Sequence, residues 1–255
     1  MENDILYKWV YKELRIDLSC YKQAQINRRI ASLAHRRNCN DKKEYFNILK
    51  YDIEEREKFK DFITINVTEF YRNPELFKEL ESVLYENIKT NKRPLKIWSA
   101  ACSSGCEAYT LSIILNEIDN KINHSIIASD IDSNILNKGK LGIYSENEVK
   151  NIPSDIMHKY FIIKDSKYYI DRKIKRRVLF KELDLIKDDY EKNFDLVVCR
   201  NVIIYFNSET KKDIFRKLSN SLREGGLLFI GATESIYNYK EYGLSKISTF
   251  IYKKI

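Results

Sequence analysis

Apolar residues recur at helical spacing through residues 1–62, a stretch without glycine or proline, and predict an all-helical N-terminal domain. Ile26, Ile30, Leu33 and Ala34 form one stripe of that pattern. Residues 63–94 read as a connector and a helix. Asn73-Pro74-Glu75 marks the helix start, with Asn73 as N-cap and Pro74 in the first position, and the helix runs to about Lys89. From Leu95 to residue 255 strands and helices alternate: strand Leu95–Ser99, helix Cys106–Ile118, strand Ser125–Ser129 closed by Asp130, helix Ser133–Gly139. Strand Phe194–Cys199, helix Ser208–Leu222, strand Leu227–Ala232 and a last strand Ile247–Tyr252 follow. Glu224-Gly225-Gly226 supplies a glycine suited to a left-handed cap for the helix before it. The alternation predicts a doubly wound α/β sheet ending in an antiparallel hairpin. Residues 160–180 interrupt it: Lys167–Ile170 and Lys175–Leu179 flank a turn, which predicts a small β excursion.

The length allows one large domain or two modest ones. No run of 18 apolar residues occurs and the first residues lack a basic, then apolar, leader pattern, so neither a membrane span nor a signal peptide is expected. A cytoplasmic protein follows. The five cysteines form no C-x-x-C pair, and Cys102 and Cys106 lack the partners of a tetrahedral metal set; they read as reduced thiols filling small sites. The net charge of +8 points to an acidic partner. Between Cys20 and Asn40 the charged residues are Lys22, Arg28, Arg29, Arg36 and Arg37, and Lys22, Arg29 and Arg36 lie seven apart on one helix face. That face is either solvated or a docking surface.

Candidate chemistry converges on the carboxyl ends of the strands, where open α/β sheets bind ligands. The Ala100–Glu107 loop is built of small residues around Gly105. It lacks the three glycines of G-x-G-x-x-G and a following Lys-Ser/Thr pair, which favours a nucleoside without a gripped pyrophosphate. Asp130, at the end of the next strand, can accept both ribose hydroxyls. Asp184-Leu185 follow another strand end, beside a prospective adenine, and Arg200-Asn201 directly follow the apolar strand Phe194–Cys199. No Ser-His-Asp set is visible. His35, His124 and His158 lie outside these clusters and read as surface or helix-packing residues.

The motifs taken together resemble one family. Thr64-x-Asn66-x-Thr68-x-Phe70-Tyr71-Arg72 resembles the T-x-N-x-T-x-F-F-R motif of the CheR receptor glutamate methyltransferases. Trp98–Thr110 is similar to W-S-A-A-x-S-x-G-x-E-P-Y-S/T, Ala128–Asp132 to A-S-D-I-D, and Phe194–Phe206 to F-D-x-x-x-C-R-N-V-x-I-Y-F. The ordered matches span residues 63 to about 235, and the helical first domain also fits. The sequence departs from the family at Ala108, where proline is usual, at Asp184, where asparagine is usual, and at Ala232-Thr233-Glu234-Ser235, where many members read H-S-E; no role is carried over to that last segment.

The resemblance implies a Rossmann-like S-adenosylmethionine-dependent methyltransferase sheet with a small all-helical N-terminal domain. It implies S-adenosyl-L-methionine as cofactor and S-adenosyl-L-homocysteine as product. The matching positions Asn66, Thr68, Arg72, Glu107, Asp130, Asp184, Leu185, Arg200 and Asn201 would contact the cofactor, and Arg72 and Tyr205 would lie near the transferred methyl as catalytic residues. No metal is implied. The implied partner is the cytoplasmic helical domain of methyl-accepting chemotaxis receptors, whose glutamates would become methyl esters in adaptation of chemotactic signalling. The face of Lys22, Arg29 and Arg36 would dock it, and the basic run Arg172–Arg177 resembles a β subdomain that in some members binds a receptor C-terminal peptide. A monomer is expected. Two other readings compete: a nucleic-acid methyltransferase, favoured by net charge but lacking N-P-P-Y or an aromatic-basic stripe, and a cofactor-binding module without catalysis.

Overall fold

The computed structural model describes the backbone from residue 2 and the side chains from residue 5 through to residue 255. The chain divides into two compact units: one holds the residues up to Asn66 together with Tyr205–Asp213, the other Val67–Ile204 and Ile214–Ile255.

The first unit is helical, with α1 (Glu2–Leu14), α2 (Gln23–Arg36), α3 (Lys42–Tyr51) and α4 (Ile53–Thr64). Local sequence fixes the corners. Asp41 and Asp52 cap α3 and α4 by accepting from the backbone N–H of Glu44 and Glu55 at 2.8 and 3.0 Å. The stripe Ile26, Ile30, Leu33 and Ala34 is buried. A buried polar link joins α3 to α4: the Tyr45 hydroxyl donates to Glu55 at 2.9 Å, and Arg37 reaches the same carboxylate at 3.5 Å. Tyr205–Asn207 is stitched to this unit. The Tyr205 carbonyl accepts from Lys22 N–H at 2.9 Å, Asn207 N–H donates to the Cys20 carbonyl at 2.9 Å, and the Tyr21 and Phe206 rings lie 5.0 Å apart.

The second unit opens with α5 (Pro74–Asn91), β1 (Lys96–Ala100), α6 (Cys106–Ile118), β2 (Ser125–Asp130) and α7 (Ser133–Leu141). An insertion follows: β3 (Ile143–Tyr144), α8 (Glu146–Val149), α9 (Ser154–Tyr160), β4 (Phe161–Lys164), β5 (Lys167–Ile170) and α10 (Arg172–Lys175). The chain then returns as β6 (Val178–Glu182), β7 (Phe194–Cys199), α11 (Ser208–Ser221, of which the part up to Asp213 belongs to the first unit), β8 (Leu222–Ile230), β9 (Leu244–Lys246) and β10 (Ile251–Lys254). The seven-stranded sheet runs β6-β2-β1-β7-β8-β10-β9. Its first five strands are parallel and β10 and β9 close it antiparallel. This is a doubly wound α/β fold, with the strand order reversing between β1 and β7. The α5 residues Phe77, Leu80, Leu84 and Ile88 and the α6 residues Leu111, Ile114 and Leu115 pack on the sheet through Ile97, Ile126, Leu196, Val198 and Phe229.

Four expectations need correction. The β excursion is the antiparallel sheet β3-β5-β4; the run after Lys175 is not part of it but enters the main sheet as β6, parallel to β2. The basic stretch expected to begin a strand forms the short α10, capped by Asp171. Gly225 takes the left-handed conformation (φ +73°), but the helix has already ended at Ser221. The glycine instead serves a bulge in β8, where pairing jumps from Phe194–Leu222 to Leu196–Leu227. The expected last strand Ile247–Tyr252 is two strands, β9 and β10, with a turn between them.

Candidate cofactor and active site

Parallel strands end on a common edge, so β1, β2, β6, β7 and β8 bring their following residues together there. The β1–α6 loop is held in an unusual backbone shape, with Ala101, Ser103 and Gly105 all at positive φ (56°, 51° and 83°). At Gly105 a Cβ would meet the Phe180 ring at 2.7 Å as well as being strained by φ, so glycine is required on two counts. Asp130 pulls this loop onto the end of β2: one carboxylate oxygen accepts from Ser103 N–H at 2.8 Å and the other from Asp132 N–H at 3.1 Å. Burial pushes the Asp130 carboxyl up to about 6, against the opposing pull of these N–H donors. The carbonyl of the same residue accepts from Leu183 N–H at 3.0 Å, tying the end of β6 beside it. Asp184 closes its own turn by accepting from Ile186 N–H at 2.8 Å, and burial raises its carboxyl too. Leu185 is buried beside it.

A second cluster surrounds Arg200, whose side chain is only 2% exposed. It pairs with Glu107 at 3.3 Å and donates to the Arg72 carbonyl at 2.8 Å and the Asn73 side chain at 3.2 Å. Its guanidinium carbon lies 4.9 Å from the ring centroids of both Phe77 and Phe229. Glu107 also accepts from the Ser99 hydroxyl at 2.8 Å; burial raises its carboxyl while Arg200 draws it back. Asn73 stands at the N-cap of α5, as its sequence position predicts, yet makes no side-chain cap. It takes a left-handed conformation (φ 62°) and turns its amide oxygen to Arg200 instead.

The connector is pinned to the same elements. Phe70 N–H donates to the Glu148 carbonyl at 2.8 Å, Tyr71 N–H to the Thr110 hydroxyl at 3.1 Å, and the Thr68 hydroxyl bonds the Cys106 thiol. The Arg72 guanidinium makes a long hydrogen bond, 3.3 Å, to the Val67 carbonyl.

Thr68, Arg72, Glu107, Asp130, Asp184, Leu185, Arg200 and Asn201 all lie in the second unit, whereas Asn66 and Tyr205 fall in the first. The sequence left two carboxylates unassigned. Glu234, after β8, accepts from four backbone N–H groups, those of Asn201, Val202, Ile203 and Gly231, at 2.8–3.1 Å. Glu148 takes the Ser104 hydroxyl at 3.2 Å and Lys138 at 2.8 Å. Its signal was present as the capping box Ser145-x-x-Glu148, which the structure contains. The histidines need one correction. His124 is not on the surface: it is buried at the amino end of β2, accepting from Leu95 N–H at 3.1 Å.

The residues present fit the nucleoside cofactor that the resemblance implies. Backbone N–H groups of Ser103, Asp132 and Ile131 engage the Asp130 carboxylate, which still leaves it acceptor capacity for a ribose hydroxyl. The Ser103 hydroxyl is buried and finds no partner among the described residues, an unmet donor beside that carboxylate.

Comparison with known proteins agrees in both units. Residues 3–64 match the family profile described as CheR methyltransferase, all-alpha domain, and residues 66–251 the profile described as CheR methyltransferase, SAM binding domain. A chemotaxis protein methyltransferase of Listeria monocytogenes is 38% identical, covering 100% of this chain and 98% of its own. One from Borreliella burgdorferi is 34% identical, with 98% and 92% covered. The chain thus belongs to the CheR family of S-adenosylmethionine-binding chemotaxis methyltransferases.

Proposed function

We propose that the chain transfers the methyl group of S-adenosylmethionine to glutamate side-chain carboxylates of methyl-accepting chemotaxis receptors, giving methyl esters. The observation that carries this reading is the anchored turn at Arg72. Its neighbour Tyr71 is bonded to Thr110 and its own carbonyl to Arg200, so a guanidinium is presented from a fixed backbone beside the cofactor loop. The cofactor supplies an electrophilic methyl: a carboxylate oxygen–carbon bond forms as the sulfonium sulfur–carbon bond breaks, releasing S-adenosylhomocysteine. A glutamate with a pKa near 4.3 is already ionised at neutral pH, so the protein need not remove a proton. What it must do is orient the carboxylate and exclude water. Arg72 orients it through charge-assisted hydrogen bonds. Asp130 takes the ribose hydroxyls, Asp184 and Leu185 flank the adenine, Thr68 and Asn201 complete the cofactor contacts, and Glu107 faces the amino acid end. Arg200, committed to Glu107 and the Arg72 carbonyl, acts by fixing both. Asn66 as a cofactor contact and Tyr205 along the methyl path rest on the family resemblance.

The partner is the cytoplasmic helical bundle of the receptors, met by a monomer in the cytoplasm. No described helix is long and apolar enough to cross a membrane. Arg29 and Arg36 both lie over the Phe62 ring, 4.3 and 4.8 Å from its centroid, but only Arg29 also donates to the Phe62 carbonyl and is half-buried, so the exposed Lys22 and Arg36 make the docking contacts. Incubation of the protein with methyl-labelled S-adenosylmethionine and receptor-containing membranes tests the reaction. Label released by alkali as volatile methanol is expected; alkali-stable label on protein, or label on nucleic acid, would overturn it.

A further inference from the structure

We infer that Glu234 is a positioning residue for the cofactor site, its carboxylate setting the backbone from Asn201 to Ile203 and with it the presentation of Asn201. This rests on the reading of Asn201 as a cofactor contact. The geometry is specific. One carboxylate oxygen accepts from Asn201 N–H at 2.9 Å and Gly231 N–H at 2.8 Å; the other accepts from Val202 N–H at 3.1 Å and Ile203 N–H at 3.0 Å. A carboxylate has about four lone-pair sites, so these bonds use its full capacity and leave none for a ligand. Glu234 therefore acts through the loop.

The surrounding residues are fitted to this arrangement. Glu234 is 7% exposed, and a buried carboxylate needs such donors. A Cβ on Gly231 would lie 2.7 Å from the Glu234 oxygen and 3.1 Å from Asn201 N, so glycine leaves room for the carboxylate to reach both strand ends. Asn201 sits at φ 60°, a left-handed conformation that asparagine tolerates but does not prefer; the bonds to its own N–H and the next two hold it there. Because β7 and β8 are neighbours in the sheet, one side chain fixes the ends of both.

The test is equilibrium binding of S-adenosylhomocysteine to the full chain and to Glu234→Gln, Gly231→Ala and Asn201→Ala, with the melting temperature of each unliganded protein measured alongside. A glutamine turns its NH2 toward two of the N–H donors. The alanine methyl at 231 displaces the carboxylate without removing it. Both variants are expected to remain folded at the assay temperature and to bind about tenfold or more weakly, as misplacement of a site group by an ångström does. In Glu234→Ala, added formate, but not chloride, should restore part of the affinity by refilling the four-donor site, a recovery that general loss of stability would not give. Unchanged affinity in Glu234→Gln and Gly231→Ala, with Asn201→Ala weakened, overturns the positioning role alone. Unchanged affinity in Asn201→Ala overturns the site reading and this inference with it. Should the Glu234 variants not fold, hydrogen exchange of the intact protein decides. Slow exchange at Asn201, Val202, Ile203 and Gly231, slowed further by S-adenosylhomocysteine, supports the role; fast exchange at those amides overturns it.

Discussion

Asp130, at the end of β2, and Arg72, in the connector before α5, carry opposite charges and opposite expectations. Asp130 is held near a pKa of 6 by burial, so below that pH its carboxyl gains a proton and loses an acceptor for the ribose. Affinity for S-adenosylhomocysteine should fall several-fold from about pH 7.5 to about pH 5.5, and Asp130→Asn should bind weakly with that part of the pH dependence gone; calorimetric titration across the range checks it. The same raised value makes protonated Asp130 the better tolerated form in the fold. Its stabilising effect is full below the unfolded value near 3.9 and is lost as pH rises through about 6, so the loss of binding in acid is not unfolding caused by this group. Arg72 sits on an anchored backbone, its guanidinium held by a long bond to the Val67 carbonyl. Arg72→Ala should reduce turnover about 100-fold or more while leaving the melting temperature within a few degrees of the parent. Near-normal turnover in a steady-state methylation assay would remove it from carboxylate orientation.

At the scale of elements, what the sequence made legible was local. Asp130 and Arg200-Asn201 end apolar runs, and strand ends can be read from the runs themselves. The small residues before α6 likewise announced the loop. What stayed hidden depended on partners far along the chain. Val178–Glu182 follows a basic stretch and looked like half of a local hairpin, but its pairing with β2 across the main sheet decides its place. Asn73 had the right position for a cap, and Arg200, distant in sequence, took its side chain. Glu234 follows β8 in a segment that departs from the family pattern, and its worth appears only when four backbone N–H groups from two strand ends meet it. His124 illustrates the same point at the opposite edge, where it receives Leu95 N–H at the start of β1. Burial lowers its pKa to about 4, below the ordinary 6.5. The stability it lends is full above about 6.5 and is lost as pH falls through about 4. Urea unfolding at about pH 7 and about pH 5 should differ by on the order of 1–2 kcal/mol from this group, and His124→Gln should flatten that part of the profile.

For the whole molecule, a net charge of +8 is distributed over a helical unit and an α/β unit, each matched by its own domain of one family. Positive charge steers association with an acidic surface. Within the basic face only part is available for it. Arg29 is held by the Phe62 carbonyl as well as its ring, and Arg37 pairs with Asp52 at 3.3 Å and Glu55 at 3.5 Å, whereas Lys22 is exposed and Arg36 lies over the Phe62 ring at 4.8 Å but stays exposed. The double reversal Lys22→Glu with Arg36→Glu should therefore raise the apparent KM for receptor several-fold and reduce its salt dependence, with the affinity for S-adenosylhomocysteine unchanged. An unchanged KM would return that face to ordinary solvated surface. Esterification of receptor glutamates by this chain is decided by peptide mapping of a receptor cytoplasmic domain after incubation with the protein and deuteromethyl-labelled S-adenosylmethionine. The labelled methyl mass is expected on glutamate side chains of the helical bundle. The same mass on lysine or arginine side chains, with the glutamates unlabelled, would contradict it.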